Sequence, residues 1–169
     1  MNGTLLNLLI PRLQVATIYD IDLDGLAASG IRGIITDLDN TLVGARDPDA
    51  TPELIDWLEN VKRRGFQVVI VSNNNLARVQ AFASPIRVPF IHSARKPTNA
   101  AFRKALQLMK LRAEEACVIG DQMMTDVLGG NRMGLFTILV TPISPQDEGF
   151  FTKAVNRRLE RAALYWMRK

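Results

Sequence analysis

The chain has 169 residues, 47% of them hydrophobic, enough for one domain with a real core and too short for two comfortable ones. No apolar run approaches the roughly 20 residues that cross a bilayer; the longest candidate, residues 5–10, is cut off by Pro11 and Arg12. The net charge of +4 suggests an acidic partner until it is divided: residues 150–169 hold six basic side chains against Glu160 alone, so the remainder sums to −1 and the basicity belongs to a tail.

The beginning of the chain lacks the basic start and small-residue cleavage site of a secretory signal, so a cytoplasmic location is expected. The one cysteine, Cys117, lies in the apolar run ACVIG and is expected in the core, since it can form neither an internal disulfide nor a cysteine metal cage. In chain order, residues 30–36 read as a buried strand. Residues 52–65 read as a helix, with Thr51 as N-cap, Pro52 in the first turn, Leu54, Trp57, Leu58 and Val61 on one face, and Gly65 at the end. Residues 66–72 read as a second buried strand and 74–84 as a short helix. A weaker strand at 86–92 contains Pro89, which places it near an edge. A helix over 98–111 shows Ala101, Ala105, Leu108 and Met109 as its apolar face. Residues 116–121 form a fourth strand, 123–134 a helix ending at glycine, and 135–141 a fifth strand.

Strands alternating with helices at this spacing predict βαβ units, a mostly parallel sheet of about five strands and right-handed crossovers. Ligands of such sheets bind at the carboxyl ends of the strands. Asp37 and Asp39 end the first strand, Ser72 and Asn73 the second and Asp121 the fourth, while Lys96 follows the third by a few residues. Carboxylates two apart in extended chain point the same way and repel unless a cation intervenes. A hard divalent ion, Mg²⁺, is the natural neutraliser, because it takes one or two carboxylates, waters and a substrate phosphate. Lys96 adds a compact positive charge for a phosphate, Ser72 a hydroxyl donor, and main-chain N–H groups near Leu38, Asp39 and Asn73 can complete an oxygen cradle. These are the parts of a phosphoryl-transfer site.

The segments DLDNT (37–41), VSNN (71–74), KP (96–97) and GDQMMTD (120–126) resemble, in order, the four motifs of the haloacid dehalogenase (HAD) superfamily, subfamily IIIA. The wider sequence is similar to the YqeG family, related to the phosphatidylglycerophosphate phosphatases. The resemblance implies a three-layer Rossmann-like α/β fold, with Asp37 as nucleophile and Asp39 as acid and base. Ser72, Asn73 and Lys96 would bind the phosphoryl oxygens. Mg²⁺ would be held by the Asp37 carboxylate, the Asp39 main-chain carbonyl and Asp121, with Asp126 in an outer shell or bound through water.

Simpler roles stand beside these. Ser72 and Asn73 can cap the following helix, Asn73 doing so while also serving the site, Asp126 can be a first-turn helix acid, Asn73 to Asn75 can be turn and cap chemistry, and His92 is not needed by the scheme. The 41–72 and 72–96 intervals leave room for no lid, so the fold is expected to be capless and the site covered by a large substrate, a membrane or a partner subunit. The expected organisation is one domain over 1–169, with a catalytic core at 25–145 and a basic amphipathic helix at 150–169 that either lies on an anionic membrane or packs on the sheet. The expected function is Mg²⁺-dependent phosphomonoester hydrolysis through an aspartyl phosphate, on phosphatidylglycerophosphate or a similar lipid head group, in the cytoplasm or at the inner face of the membrane. The alternatives are a polynucleotide-end phosphatase, although nucleic acid is not the expected partner, and a phosphate-responsive binding module without turnover. An oligomer is compatible with the sequence.

Overall fold

A computed structural model describes residues 5–144 and position 161. Six strands form one parallel sheet in the order β1-β6-β5-β2-β3-β4. They are β1 (Leu13–Val15), β2 (Gly33–Thr36), β3 (Gln67–Val71), β4 (Phe90–Ile91), β5 (Ala116–Gly120) and β6 (Phe136–Val140). Six strands stand where about five were expected, the addition being β1. β1 is only three residues long and half buried, too short to show a period, and it forms by pairing Leu13, Gln14 and Val15 with Ile138, Leu139 and Val140 of β6. The Pro89-broken segment contributes only the two residues of β4, on the opposite edge.

The central strands are apolar on both faces because both are covered, as parallel crossover sheets require. Ile34, Val68, Ile70, Cys117 and Ile119 point into one core, with α1 (Leu23–Ala28), α2 (Pro52–Arg63) and α3 (Leu76–Ala83). Ile35, Val69, Val71, Ala116 and Val118 point into the other, with α4 (Asn99–Met109). On that side α5 (Leu128–Met133) packs close to the sheet, since a Cβ at Gly130 would overlap the side chains of Val118 and Thr137. The α2 face is the expected one, capped by Thr51 Oγ1 accepting from the Leu54 N–H at 3.1 Å. The α4 face differs: Phe102 and Leu106 are buried beside Ala101, Ala105 and Met109, while Leu108 is 53% exposed. An apolar stripe on α4 can be drawn through either set, and the position of the sheet chooses between them.

Residues before the expected core boundary at 25 also pack. Leu9, in the short helical turn Leu5–Leu9, is buried against Met123, Val127, Leu128 and Leu139, and Ile18 and Ile21 enter the first core. The expected helix at 150–169 lies outside the described residues apart from Arg161. Among the described residues no helix is long and apolar enough to cross a membrane.

Candidate active site

Four strand ends deliver the polar side chains. β2 runs directly into Asp37, whose N–H donates to the Ile119 carbonyl at 2.9 Å and so extends the β2–β5 ladder. The chain then turns back: Asn40 adopts φ 62°, a left-handed conformation that asparagine tolerates, and its N–H donates to the Val43 carbonyl at 2.7 Å. The Asn40 carbonyl accepts from Ile143, and its Oδ1 accepts from the Ser144 N–H, which ties the turn to the chain leaving β6. Beyond β5, the π-helical turn Met123–Val127 follows Asp121 and swings Asp126 back over the strand end. A Cβ at position 120 would overlap the Asp126 carboxyl, so Gly120 makes that approach possible.

Asp37, Asp121 and Asp126 offer carboxylate oxygens that lie within 4.8 Å of one another. Lys96 reaches them from the β4–α4 loop, with Nζ 3.0 Å from Asp37 Oδ1 and 2.7 Å from Asp126 Oδ1. Its side chain is 2% exposed. Burial alone would pull the Lys96 ammonium down, but the Asp126 and Asp37 carboxylates outweigh it and hold the group above its ordinary range. One lysine does not neutralise three acids. Burial first, and then the charges of Asp37 and Asp126, push the Asp121 carboxyl up to about 9. Burial likewise raises Asp126, to about 6, against the opposing pull of Lys96.

The donor set at this site suits a divalent cation. Thr41 Oγ1 donates to Asp121 Oδ1 at 3.0 Å, while the other oxygen, Oδ2, is buried without a hydrogen-bond partner. An orphaned buried carboxylate oxygen beside two further acids fits a hard cation. Asp126 lies with Asp37 and Asp121 in one carboxylate group. Its side chain lies there because the wide π-turn brings it back under Gly120.

Asp39 is placed differently from that group. Its carboxylate accepts from Arg78 Nε and Nη2 at 3.1 and 2.9 Å and from Asn74 Nδ2 at 2.8 Å. Asp37, Asp39, Asn40, Ser72, Asn73, Asn74, Lys96, Gln122 and Thr125 line an open cavity of about 380 Å³. Ser72 is buried in its wall, with Oγ accepting from the Asn74 N–H. The Asn73 side chain is committed to the main chain of Lys96, Oδ1 accepting from its N–H at 2.7 Å and Nδ2 donating to its carbonyl at 3.3 Å. It does not cap the following helix, a task that falls to Asn75. His92 is exposed, near Ser93 Oγ, and does not line the cavity.

Sequence reasoning missed Thr41, Asn74 and Arg78. The one available signal was the run SNNN, four polar residues where a turn and a cap need two. The structure divides its asparagines among Lys96, Asp39 and the helix cap. Nothing in the pattern marked Arg78, a lone basic residue in the first turn of α3.

Residues 93–144 match the HAD-hydrolase-like family. Over 155 residues the chain is 50% identical to the probable phosphatase YqeG of Bacillus subtilis (strain 168), covering 92% of this chain and 89% of that protein. It is 29% identical over 171 residues to the chloroplastic/mitochondrial phosphatidylglycerophosphate phosphatase 1 of Arabidopsis thaliana, covering 95% of this chain but 49% of the plant protein. Among solved structures, the fold is similar to a HAD phosphatase from Thermococcus onnurineus (TM-score 0.56, 14% identity, covering 71% of this chain and 90% of that one). It is also similar to an uncharacterized protein from Listeria monocytogenes serotype 4b (TM-score 0.56, 18% identity, covering 78% and 99%). At those identities the structural likeness concerns the fold alone.

Proposed function

The chain belongs to the YqeG family of haloacid dehalogenase-like phosphatases and is a phosphoric monoester hydrolase, and we propose that it works through Asp37 as nucleophile and Asp39 as acid and base. The observation that carries this reading is the Lys96 ammonium bridging Asp37 and Asp126, with Asp121 completing the carboxylate group beside the cavity that Asp37 and Lys96 line. A phosphoryl group entering there meets Asp37 in reach of its phosphorus, Lys96 as a positive clamp, and the Ser72 hydroxyl in the wall. Attack by a carboxylate oxygen of Asp37 forms an aspartyl phosphate and expels the alcohol, which takes its proton from Asp39. Asp39 then accepts a proton from the water that hydrolyses the intermediate.

Mg²⁺ is the proposed cofactor: the Asp37, Asp121 and Asp126 carboxylates and the Asp39 main-chain carbonyl would hold it, and it would supply charge neutralisation for the phosphoryl oxygens. The proposed substrate is an anionic lipid phosphate of the phosphatidylglycerophosphate kind, supported by the name of the plant relative and by an open cavity that an extended head group can cover. The basic segment 150–169 is the proposed contact with an anionic membrane surface.

The test is phosphate release from phosphatidylglycerophosphate in mixed micelles, a 3′-phosphorylated oligonucleotide and soluble sugar phosphates, with and without Mg²⁺, beside Asp37→Asn. Mg²⁺-dependent release that favours the lipid and vanishes in the variant is expected. Release that persists in Asp37→Asn overturns the mechanism, and preference for the oligonucleotide or the sugars overturns the substrate.

A further inference from the structure

We propose that Arg78 and Asn74 form a clamp that positions Asp39 and leaves Oδ2 as the one carboxylate oxygen free to exchange a proton with substrate and water. This rests on the catalytic reading of Asp37 and Asp39 given above.

Each carboxylate oxygen accepts at two lone-pair sites. At Asp39 Oδ1 both are taken, by Arg78 Nε at 3.1 Å and Nη2 at 2.9 Å. At Oδ2 one is taken, by Asn74 Nδ2 at 2.8 Å, and the other remains. Asp39 and Asn74 line the cavity, whereas among the described residues that line it Arg78 is not one. The guanidinium therefore approaches Asp39 from behind, not as a second phosphate binder.

The clamp is itself anchored. Arg78 Nη1 donates to the Asp47 carbonyl at 2.6 Å, and its guanidinium sits 5.7 Å from the ring centre of Phe82, a buried core residue one turn further along α3. Asn75 Oδ1 accepts from the Arg78 N–H at 2.9 Å and fixes the turn from which the arginine springs. Asn74 Oδ1 accepts from the Asn75 N–H at 2.8 Å, and the Asn74 N–H donates to Ser72 Oγ at 3.1 Å. Both arms thus leave one short segment, residues 72–78, that also contributes Ser72 to the cavity.

The proton accounting follows. As the Asp37 oxygen bonds to phosphorus and the ester P–O bond breaks, the proton on Asp39 Oδ2 passes to the leaving oxygen, and Asp39 becomes a carboxylate paired with Arg78. As water oxygen then bonds to phosphorus and the Asp37–phosphorus bond breaks, the water proton returns to Oδ2. Inorganic phosphate leaves and both aspartates are restored. Arg78 touches neither substrate nor phosphorus in this sequence; it is a positioning residue.

Proton donation matters most for a poor leaving group, so leaving-group dependence reports on the clamp where a general loss of folding does not. The experiment compares kcat/KM for p-nitrophenyl phosphate and for an alkyl phosphate, glycerol 3-phosphate, with Mg²⁺, in the wild type, Asp37→Asn, Arg78→Ala, Arg78→Lys and Asn74→Ala. In Arg78→Ala the ratio of alkyl to aryl kcat/KM is expected to fall by about tenfold or more, within the range that a general acid contributes. Arg78→Lys, with one donor in place of the fork, is expected to recover part of that ratio, and Asn74→Ala to show the same trend. Equal loss on both esters, or no loss on the alkyl ester, overturns the clamp while Asp37-dependent activity upholds the catalytic reading. If Arg78→Ala does not fold, Arg78→Lys and Asn74→Ala decide by the same ratio. Absence of Asp37-dependent release from either ester overturns the catalytic reading and the clamp with it.

Discussion

Two polar contacts at the residue scale, one of them fully buried, set the behaviour of the carboxylate group. Thr41 Oγ1 donates to Asp121 Oδ1 at 3.0 Å and orients the carboxylate, whose Oδ2 is buried without a hydrogen-bond partner. Outer partners of this kind typically tune metal affinity by about 10–100-fold. Thr41→Val, which keeps the shape and removes the donor, is expected to weaken Mg²⁺ binding by about that factor in a calorimetric titration. Unchanged affinity would mean that Asp121 is held by its backbone alone. Asn73 holds Lys96 by both ends of its amide. Asn73→Ala is expected to cost about 0.5–1.5 kcal/mol in urea unfolding, the net range for a part-buried hydrogen bond. It should also lower kcat/KM, because Lys96 then loses its register with Asp37 and Asp126. A stability loss without a kinetic one would separate the clamp on Lys96 from its catalytic placement.

The reach of the amino-terminal segment emerges at the scale of elements. The leucine cluster near residue 5 could equally well serve a bilayer by its composition, yet Leu9 is buried against the π-helical turn and β6, with Leu8 packed beside it. Only Leu5, at 68% exposure, remains outward. Asn131 Nδ2 donates to the Leu8 and Ile10 carbonyls, which fastens the segment to α5. Leu9→Ala is expected to destabilise the protein by about 2–5 kcal/mol, as a buried leucine does, read from its thermal or urea unfolding. A change under about 0.5 kcal/mol, the level of an exposed site, would show that the segment is only loosely attached. Since Leu9 touches Met123 and Val127, on either side of Asp126, its loss is also expected to loosen the carboxylate group before it unfolds the sheet.

The whole molecule couples protonation, metal and stability through the same acids. Asp121 sits at about 9 and Asp126 at about 6 in the folded protein without metal, against 3.8 for an ordinary aspartate. Between those limits the folded state keeps protons that the unfolded chain has released, so stability falls as pH rises through the window. A bound divalent cation takes the place of those protons and gains the more the higher the pH. The expected result is a Tm increment on adding Mg²⁺ to chelator-treated protein that is larger near about pH 8.5 than near about pH 5. An increment that is constant or shrinks with pH would remove the carboxylate group as the metal site. Cys117, fully buried with its thiol pushed up to about 12, takes no part in this titration.

The order of strands and helices, the double-faced burial of β2, β3 and β5, and the gathering of Asp37, Ser72, Lys96 and Asp121 at one sheet edge all follow from apolar period and from where polar residues interrupt it. Local chemistry suffices for these, because burial repeats every two or 3.6 residues along the chain. The same reasoning fails for β1, which is too short to show a period, and for the α4 face, where two apolar stripes compete. It also fails to say which polar group holds which. Lys96 with Asp126, Asp39 with Arg78 and Thr41 with Asp121 are separated by 30, 39 and 80 residues. Those partnerships were decided by the tertiary fold alone, because a hydrogen bond needs two side chains within about 3 Å, and periodicity records only whether each of them is covered.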